Sequence, residues 1–278
     1  LKDALKELKN DNNQNEYYLT DVIKIFNDKN LKVGAYKIEN PEEIMGVNNR
    51  LQLSQAASIM TRRILEEHMI NGVTIIDPAS TYIDAAVKIE NDVTILPGCI
   101  IKGNTYIEED AVIGPYTTIS DSHVGKGVSI KNSVVMESKI GEGTTVGPFA
   151  YLRPGNVIGK HAKIGDFVEM KNSNFGDYSK VSHLTYVGDG DVGSGVNLGC
   201  GVVFVNYDGK KKHRTKVEDN SFVGCNVNLV APVKVSDNSY IAAGSTITET
   251  VPEYSLAIAR ERQINKENWV IKKGMQRK

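Results

Sequence analysis

Residues 81–119 read TYIDAA VKIEND VTILPG CIIKGN TYIEED AVIGPY TTI, a run that divides into blocks of six. The third position of every block is isoleucine: Ile83, Ile89, Ile95, Ile101, Ile107, Ile113 and Ile119. Two residues before each stands a small or β-branched residue, namely Thr81, Val87, Val93, Cys99, Thr105, Ala111 and Thr117. A period of six fits neither a helical face nor a two-residue alternation carried over so many residues. Something must reset the chain every six residues. A strand of about three to four residues followed by a corner does this, and three such sides close one triangular coil that stacks on the next. The large aliphatic then points into the prism, and the small residue fits where two walls converge. Pairs such as Asn91-Asp92, Pro97-Gly98, Gly103-Asn104 and Glu109-Asp110 lie between them and suit tight corners.

The register continues with slips. It passes through Val124, Ile130, Met136 and Ile140, then Val146, Leu152, Ile158, Ile164 and Met170. Phe175, Val181 and Val187 follow, then Val192, Leu198 and Phe204, and after an interruption Val223, Leu229, Val235, Ile241 and Ile247. A β-sandwich of alternating strands would instead place turn signals about every 8 to 12 residues, with no fixed six.

A length of 278 residues suggests about two domains. With 40% apolar residues the chain can bury a sizeable core, and a formal charge of −1 gives no global pull toward nucleic acid or membrane. No apolar run approaches a transmembrane helix, and no signal peptide opens the sequence. Cys99, Cys200 and Cys225 are odd in number and lack paired metal spacing, which favours a reduced, cytoplasmic setting. The first residue is Leu1, so a fragment of a longer protein is expected.

Residues 1–49 follow a different pattern. Leu1, Ala4, Leu5 and Leu8 fall at helical spacing, as do Tyr18, Val22, Ile25 and Phe26, while Leu31 to Ile38 alternates like a strand. Residues 50–72 predict a linker helix through Ala56, Ala57, Met60, Ile64 and Met69 that stops at Asn71-Gly72. The repeats occupy 73–252. Residues 253–278 lose the period, turn basic and carry Trp269, as either a docked arm or a frayed tail. A bare prism leaves flat faces uncovered, so self-association is expected, and a threefold bundle would create grooves between subunits.

One true interruption separates Phe204 from Val217. It contains Asn206-Tyr207-Asp208-Gly209 and then Lys210, Lys211, Lys212, His213, Arg214 and Lys216. A cationic loop thrown out of a rigid scaffold suits a polyanionic ligand such as a phosphorylated sugar or a coenzyme. Arg153, Glu169, Lys171, His183, Tyr186 and Asn197 precede it. Coils recur at about eighteen residues, so Arg153 and Lys171 should stack on one face, with His183 on an adjacent side near a shared edge. The five histidines form no close pair that would suit a zinc site, and no nucleophilic Ser or Cys elbow is present.

The segments Gly147-Pro148-Phe149-Ala150-Tyr151-Leu152-Arg153-Pro154, Asp166-Phe167-Val168-Glu169-Met170-Lys171, His183-Leu184-Thr185-Tyr186-Val187-Gly188-Asp189, Asn197-Leu198-Gly199 and Asn206-Tyr207-Asp208-Gly209 resemble a known family. So do Leu229-Val230-Ala231-Pro232 and Ile241-Ala242-Ala243-Gly244. This is the acetyltransferase half of bacterial bifunctional glucosamine-1-phosphate acetyltransferase / N-acetylglucosamine-1-phosphate uridyltransferase. Glu16-Tyr17-Tyr18-Leu19-Thr20-Asp21 and Gly46-Val47-Asn48-Asn49-Arg50 resemble the end of its uridyltransferase domain.

The resemblance implies a mainly β protein: a left-handed parallel β-helix of hexapeptide repeats, preceded by an α/β remnant and a linker helix, and assembled as a homotrimer. It implies acetyl transfer from acetyl-CoA to the 2-amino group of glucosamine 1-phosphate, a step toward UDP-N-acetylglucosamine and cell-wall precursors. The family's catalytic base falls on His183. Its sugar-phosphate ligands fall on Arg153, Lys171, Tyr186 and Asn197, with Lys212 reaching in from another subunit. Its acetyl-CoA contacts fall on Cys200, Asn206, Tyr207, Cys225, Ala243 and Arg260. Two of these depart from the family's usual Ala and Ser, at Cys200 and Cys225 respectively. Asn48 matches a metal ligand of the uridyltransferase site, whose other parts the family places upstream of Leu1. Magnesium therefore concerns only that absent site, and uridylyl transfer is not expected of this chain. A related hexapeptide acyltransferase with another acceptor, and a noncatalytic prism used as a scaffold, are the alternatives.

Overall fold

The computed structural model describes residues 1–276; residues 277 and 278, the end of the C-terminal arm, lie outside the described residues. The chain divides into two compact units, Leu1–Ala56 and Ala57–Lys278, and the division falls inside the helix Arg50–Ile70.

In the first unit, helices Lys2–Leu5 and Val22–Asp28 bury Ala4 and Val22. The strand expected over Leu31–Ile38 is not formed. Its alternation is real, yet among the described residues no other strand pairs with it, and an extended segment without a ladder partner is not stable on its own. Arg50–Ile70 is helical, as its apolar spacing predicts. It stops at Gly72, whose φ of 93° is the left-handed value a helix terminus calls for. There the N–H groups of Gly72 and Val73 donate to the carbonyls of Met69 and His68 at 3.2 and 3.0 Å.

From Thr74 to Ala257 the chain is a solenoid. Its strands are two to four residues long, and every third strand is a ladder neighbour. Three parallel sheets result, and we call them A, B and C after their first strands, Thr74–Ile75, Tyr82–Ile83 and Lys88–Ile89. They contain 11, 10 and 9 strands. The register explains the slips in the sequence. Thr94 pairs with Val112, 18 residues on, whereas Lys180 pairs with Asn197, 17 on, and Asn197 pairs with Phe222, 25 on. The last interval holds the cationic loop, so the prism absorbs that insertion without losing the ladder. Beyond Pro252 the strand Leu256–Ala257 still pairs with Tyr240–Ile241, so the first residues of the arm extend sheet A.

The isoleucine column is the core. Ile95, Ile101, Ile107, Ile113 and Ile119 are fully buried, and Val93, Cys99, Thr105, Ala111 and Thr117 fill the narrow positions beside them. Ile89, nearer the N-terminal end of the prism, is only partly buried.

The corners hold a feature that composition does not announce. Most place a residue in the left-handed region, and several of these are not Gly, Asn or Asp: Tyr116, Phe149, Phe167, Tyr178 and Leu184 all have φ between 46° and 59°. For a bulky residue that conformation costs roughly 1–2 kcal/mol. Because the side chain leaves a corner outward, it meets its neighbour on the next coil. Phe149 and Phe167 stack at 5.4 Å with planes 16° apart, a contact worth about 0.5–1.5 kcal/mol.

Ile113→Ala should lower the stability of the repeat region by about 2–5 kcal/mol, through lost burial and the cavity left behind. Val112→Ala, one residue away on the outer face, should cost less than about 0.5 kcal/mol. Denaturant midpoints measured on both variants check this; equal costs would contradict the inward assignment.

Candidate active site

Ladder registers convert the candidate residues into positions on the prism. Asp166 pairs with His183 at the end of sheet A. Val181 pairs with Leu198, Leu198 with Val223 and Val223 with Ile241, so the residues two further on, His183, Cys200, Cys225 and Ala243, occupy one corner position on consecutive coils. Hydrogen bonds between coils fix the stacking: Asn226 N–H donates to the Cys200 carbonyl and Gly244 N–H to the Cys225 carbonyl, each at 2.8 Å. The pairing of Ile241 with Ala257 brings Arg260 beside Gly244 at the next coil. Four residues thus form one column on the corner between sheets A and B, with Arg260 one position further along at its end. From His183 to Ala243 it rises three rungs, about 14 Å at the usual strand spacing.

His183 begins that column. Its side chain is 57% exposed, and its Nδ1 is hydrogen bonded to the Asp166 carboxylate one rung below. That bond is the main reason the Asp166 carboxyl sits below its ordinary range. In the tautomer that donates Nδ1–H to this carboxylate, Nε2 carries the lone pair and points away from Asp166. Asp166 was not singled out from the sequence. The repeat interval that stacks Arg153 with Lys171 would have found it, because Asp166 lies 17 residues before His183.

A second group occupies the outer face of sheet B. Leu152 pairs with Met170, which stacks Arg153 against Lys171. Arg153 Nη1 donates to Glu169 Oε1 at 2.8 Å. In the next coil Lys171 pairs with Gly188. A side chain at Gly188 would strike the Tyr186 hydroxyl and the Asn206 amide, so the bare position is what lets the Tyr186 phenol lie across this face.

Lys212 joins the group from the loop. Its ammonium is the first cause of a lowered Lys171 pKa, followed by the charge of Arg153. Three cations of one chain therefore converge, because the loop is tied back onto the prism. Tyr207 bridges to Lys212, and Asp208 accepts from the Lys210 and Lys211 N–H groups at 2.7 Å each and pairs with His213 Nε2 at 2.8 Å. Those backbone donors are the leading cause that holds the Asp208 carboxyl at about 2. Arg214 anchors the return, donating to Asp191 at 2.6 and 2.9 Å and to the Asn172 and Gly190 carbonyls at 3.0 and 3.1 Å.

Asn206 and Tyr207 do not join the column. They follow Val205 at the opposite edge of sheet B, and the buried Asn206 amide donates to Asp189 at 2.6 Å, as does Asn172. Asn197 faces outward from sheet A, paired with Lys180 and Phe222. Asn48 belongs to the first unit, where its N–H donates to Gln52 Oε1 at 2.7 Å. One neutral amide does not make a divalent-ion site. Among the described residues no group of three or more His, Cys, Asp or Glu side chains could hold a metal ion. No helix among them is long and apolar enough to cross a membrane.

Stacked hexads around a parallel prism, with an imidazole on one corner and converged cations on a face, define a hexapeptide-repeat β-helix protein. The family model described as bacterial transferase hexapeptide (six repeats) matches residues 86–121 and 214–249. Over its whole length the chain is homologous to proteins named bifunctional protein GlmU. It is 62% identical over 277 residues to the one from Acetivibrio thermocellus and 60% identical over 278 residues to one from Clostridium botulinum. All of this chain is covered in both alignments, and it spans about 60% of the length of those relatives. Among solved structures, UDP-N-acetylglucosamine acyltransferase from Campylobacter jejuni is 18% identical with a TM-score of 0.45, over 74% of this chain and 79% of that one.

Arg214→Ala should release the loop and make the bonds after Lys210, Lys211 and Lys212 more susceptible to trypsin, with the melting temperature of the prism nearly unchanged. Unaltered cleavage would mean that the Asp208 turn alone orders the loop.

Proposed function

We propose that this chain transfers acetyl from acetyl-CoA to the 2-amino group of glucosamine 1-phosphate, as the acetyltransferase part of a bifunctional protein of the GlmU kind. The observation that carries the proposal is the meeting of two features at His183: an imidazole with one nitrogen held by Asp166, and a corner column of small side chains leading away from it. Identity near 60% over the full length supports the same reading.

In this mechanism Arg153, Lys171 and Lys212 hold the sugar phosphate. Glu169 keeps Arg153 extended until the phosphate competes for it. The column Cys200, Cys225, Ala243 and Arg260 takes the extended acetyl-CoA, with Arg260 toward its phosphates. The family's Ala and Ser at positions 200 and 225 act by being small, and Cys satisfies that requirement. His183, neutral and oriented by Asp166, takes a proton from the amine as it attacks the thioester carbonyl directly. A backbone N–H at Cys200 is the candidate donor to the developing oxyanion. Uridylyl transfer, with its magnesium, is not assigned to these residues.

The geometry also supports a shared site in a homotrimer. Asn197 faces out from sheet A and Lys171 from sheet B, and two faces of one triangular prism diverge. Both can line one pocket only when faces of two subunits oppose each other. The same holds for Asn206 and Tyr207, an entire sheet width from Cys200. The proposed setting is cytoplasmic, where structural disulfides are rare and those that form are transient.

His183→Ala should lower turnover by roughly 10²- to 10⁴-fold, while acetyl-CoA affinity and melting change little. More than half exposed, the side chain has little burial to lose. A variant that melts early but turns over normally per folded molecule would make His183 structural. Acetyl-CoA consumption with glucosamine 1-phosphate, against glucosamine 6-phosphate, tests the acceptor; equal use of both would favour a related acyltransferase.

Affinity for the sugar phosphate should also depend on alkaline pH. Lys171 binds phosphate as a cation, and its two cationic neighbours hold its pKa below the ordinary 10.5. Affinity is therefore full at neutral pH and is lost as pH rises through that lowered value. Lys212→Ala weakens binding at neutral pH and moves the alkaline limb upward. An unmoved limb would show that Lys171 is not the titrating group.

A further inference from the structure

Cys200 and Cys225 occupy the same corner position on consecutive coils. The Asn226 N–H that directly follows Cys225 donates to the Cys200 carbonyl at 2.8 Å. Their Cα atoms are therefore one rung apart, about 4.8 Å, inside the roughly 4.4–6.8 Å that a disulfide spans. Side chains in one column leave the prism in the same direction. Both thiols are free; Cys225 is exposed and Cys200 half-buried. The third thiol differs on every count: Cys99 is fully buried in the core, and burial raises its pKa.

We propose that Cys200 and Cys225 form a reversible dithiol–disulfide site on the corner beside His183, oxidised by small-molecule disulfides. The Cys225 thiolate attacks one sulfur of the disulfide and expels the first thiolate, leaving a mixed disulfide on Cys225. The Cys200 thiolate then attacks the Cys225 sulfur, forms the internal S–S bond and expels the second. The protein loses two protons and two electrons, and the small disulfide becomes two thiols. The bond closes the longest coil of the prism into a ring that contains the cationic loop. Its effect on catalysis rests on the proposed function, because the bridge lies across the column assigned to acetyl-CoA.

The test treats the reduced full chain with oxidised glutathione and reads it by intact mass and peptide mapping. The expected product has lost two hydrogens, carries no glutathione and links Cys200 to Cys225; dithiothreitol reverses it. Cys225→Ser and Cys200→Ser should each instead retain one glutathione on the remaining corner thiol. Stable glutathione on both cysteines of the unsubstituted chain, or links between chains, would overturn the proposal. A further arm adds saturating acetyl-CoA, which should slow bridge formation, and the bridged protein should lose acetyl-CoA binding. If the bridge forms at the same rate and acetyl-CoA still binds, the disulfide stands and the assignment of this column to the cofactor falls.

Discussion

The backbone ladder between coils is the constraint on which the rest of this structure depends. Each strand inside a sheet has its hydrogen-bond partners in the coils before and after it, so a residue's lateral position is inherited from the rung below. Packing enforces the same rule from inside, since a slip of one residue would turn Ile113 outward and Val112 inward. Corners therefore become columns, and a column on a rigid prism can hold an extended ligand without any loop having to close over it. The placement of Asp166 beneath His183, and of Cys200, Cys225 and Ala243 above it, is a direct consequence.

The period made this architecture legible. An isoleucine every sixth residue specifies which side faces in, and multiples of the coil length specify what stacks on what. Arg153 over Lys171 followed from that arithmetic alone. The arithmetic weakens wherever a coil is short, so Asp166 under His183, 17 residues apart, went unread. The corners were read as places for Gly, Asn and Asp. Phe149 and Phe167 adopt the same left-handed backbone because the ladder fixes it on both sides and each outward ring stacks on the other. A preference derived from isolated turns does not include that partner. The alternation of Leu31–Ile38 misled for the opposite reason, because the pattern is present and the partner is not.

Least legible was the cationic loop. Composition gives its charge but not its path, which is set by Asp208, Asp189 and Asp191 from inside and beneath the loop. These carboxylates do different work. Asp208 closes the turn by accepting backbone N–H groups, and Asp191 receives the Arg214 fork in the bidentate manner that suits guanidinium. Asp189 is buried and ties two asparagines together. With one loop arginine neutralised in this way, Lys212 remains to meet Lys171, and the repulsion recorded in the lowered Lys171 pKa is what an arriving dianion would relieve.

That repulsion also bears on how the site is completed. A cluster of three like charges is unfavourable on a bare face, and it lies on sheet B, while the imidazole stands at the corner and Asn197 looks out from sheet A. No single face of the prism collects them. In the proposed trimer, opposing the A face of one subunit to the B face of another would bring all three kinds of group to one groove and would cover exposed sheet surface, including the stacked Phe222 and Tyr240. Assembly and catalysis in that proposed trimer would then share one cause: the prism that aligns the column within a chain also keeps the phosphate-binding cations and Asn197 on diverging faces.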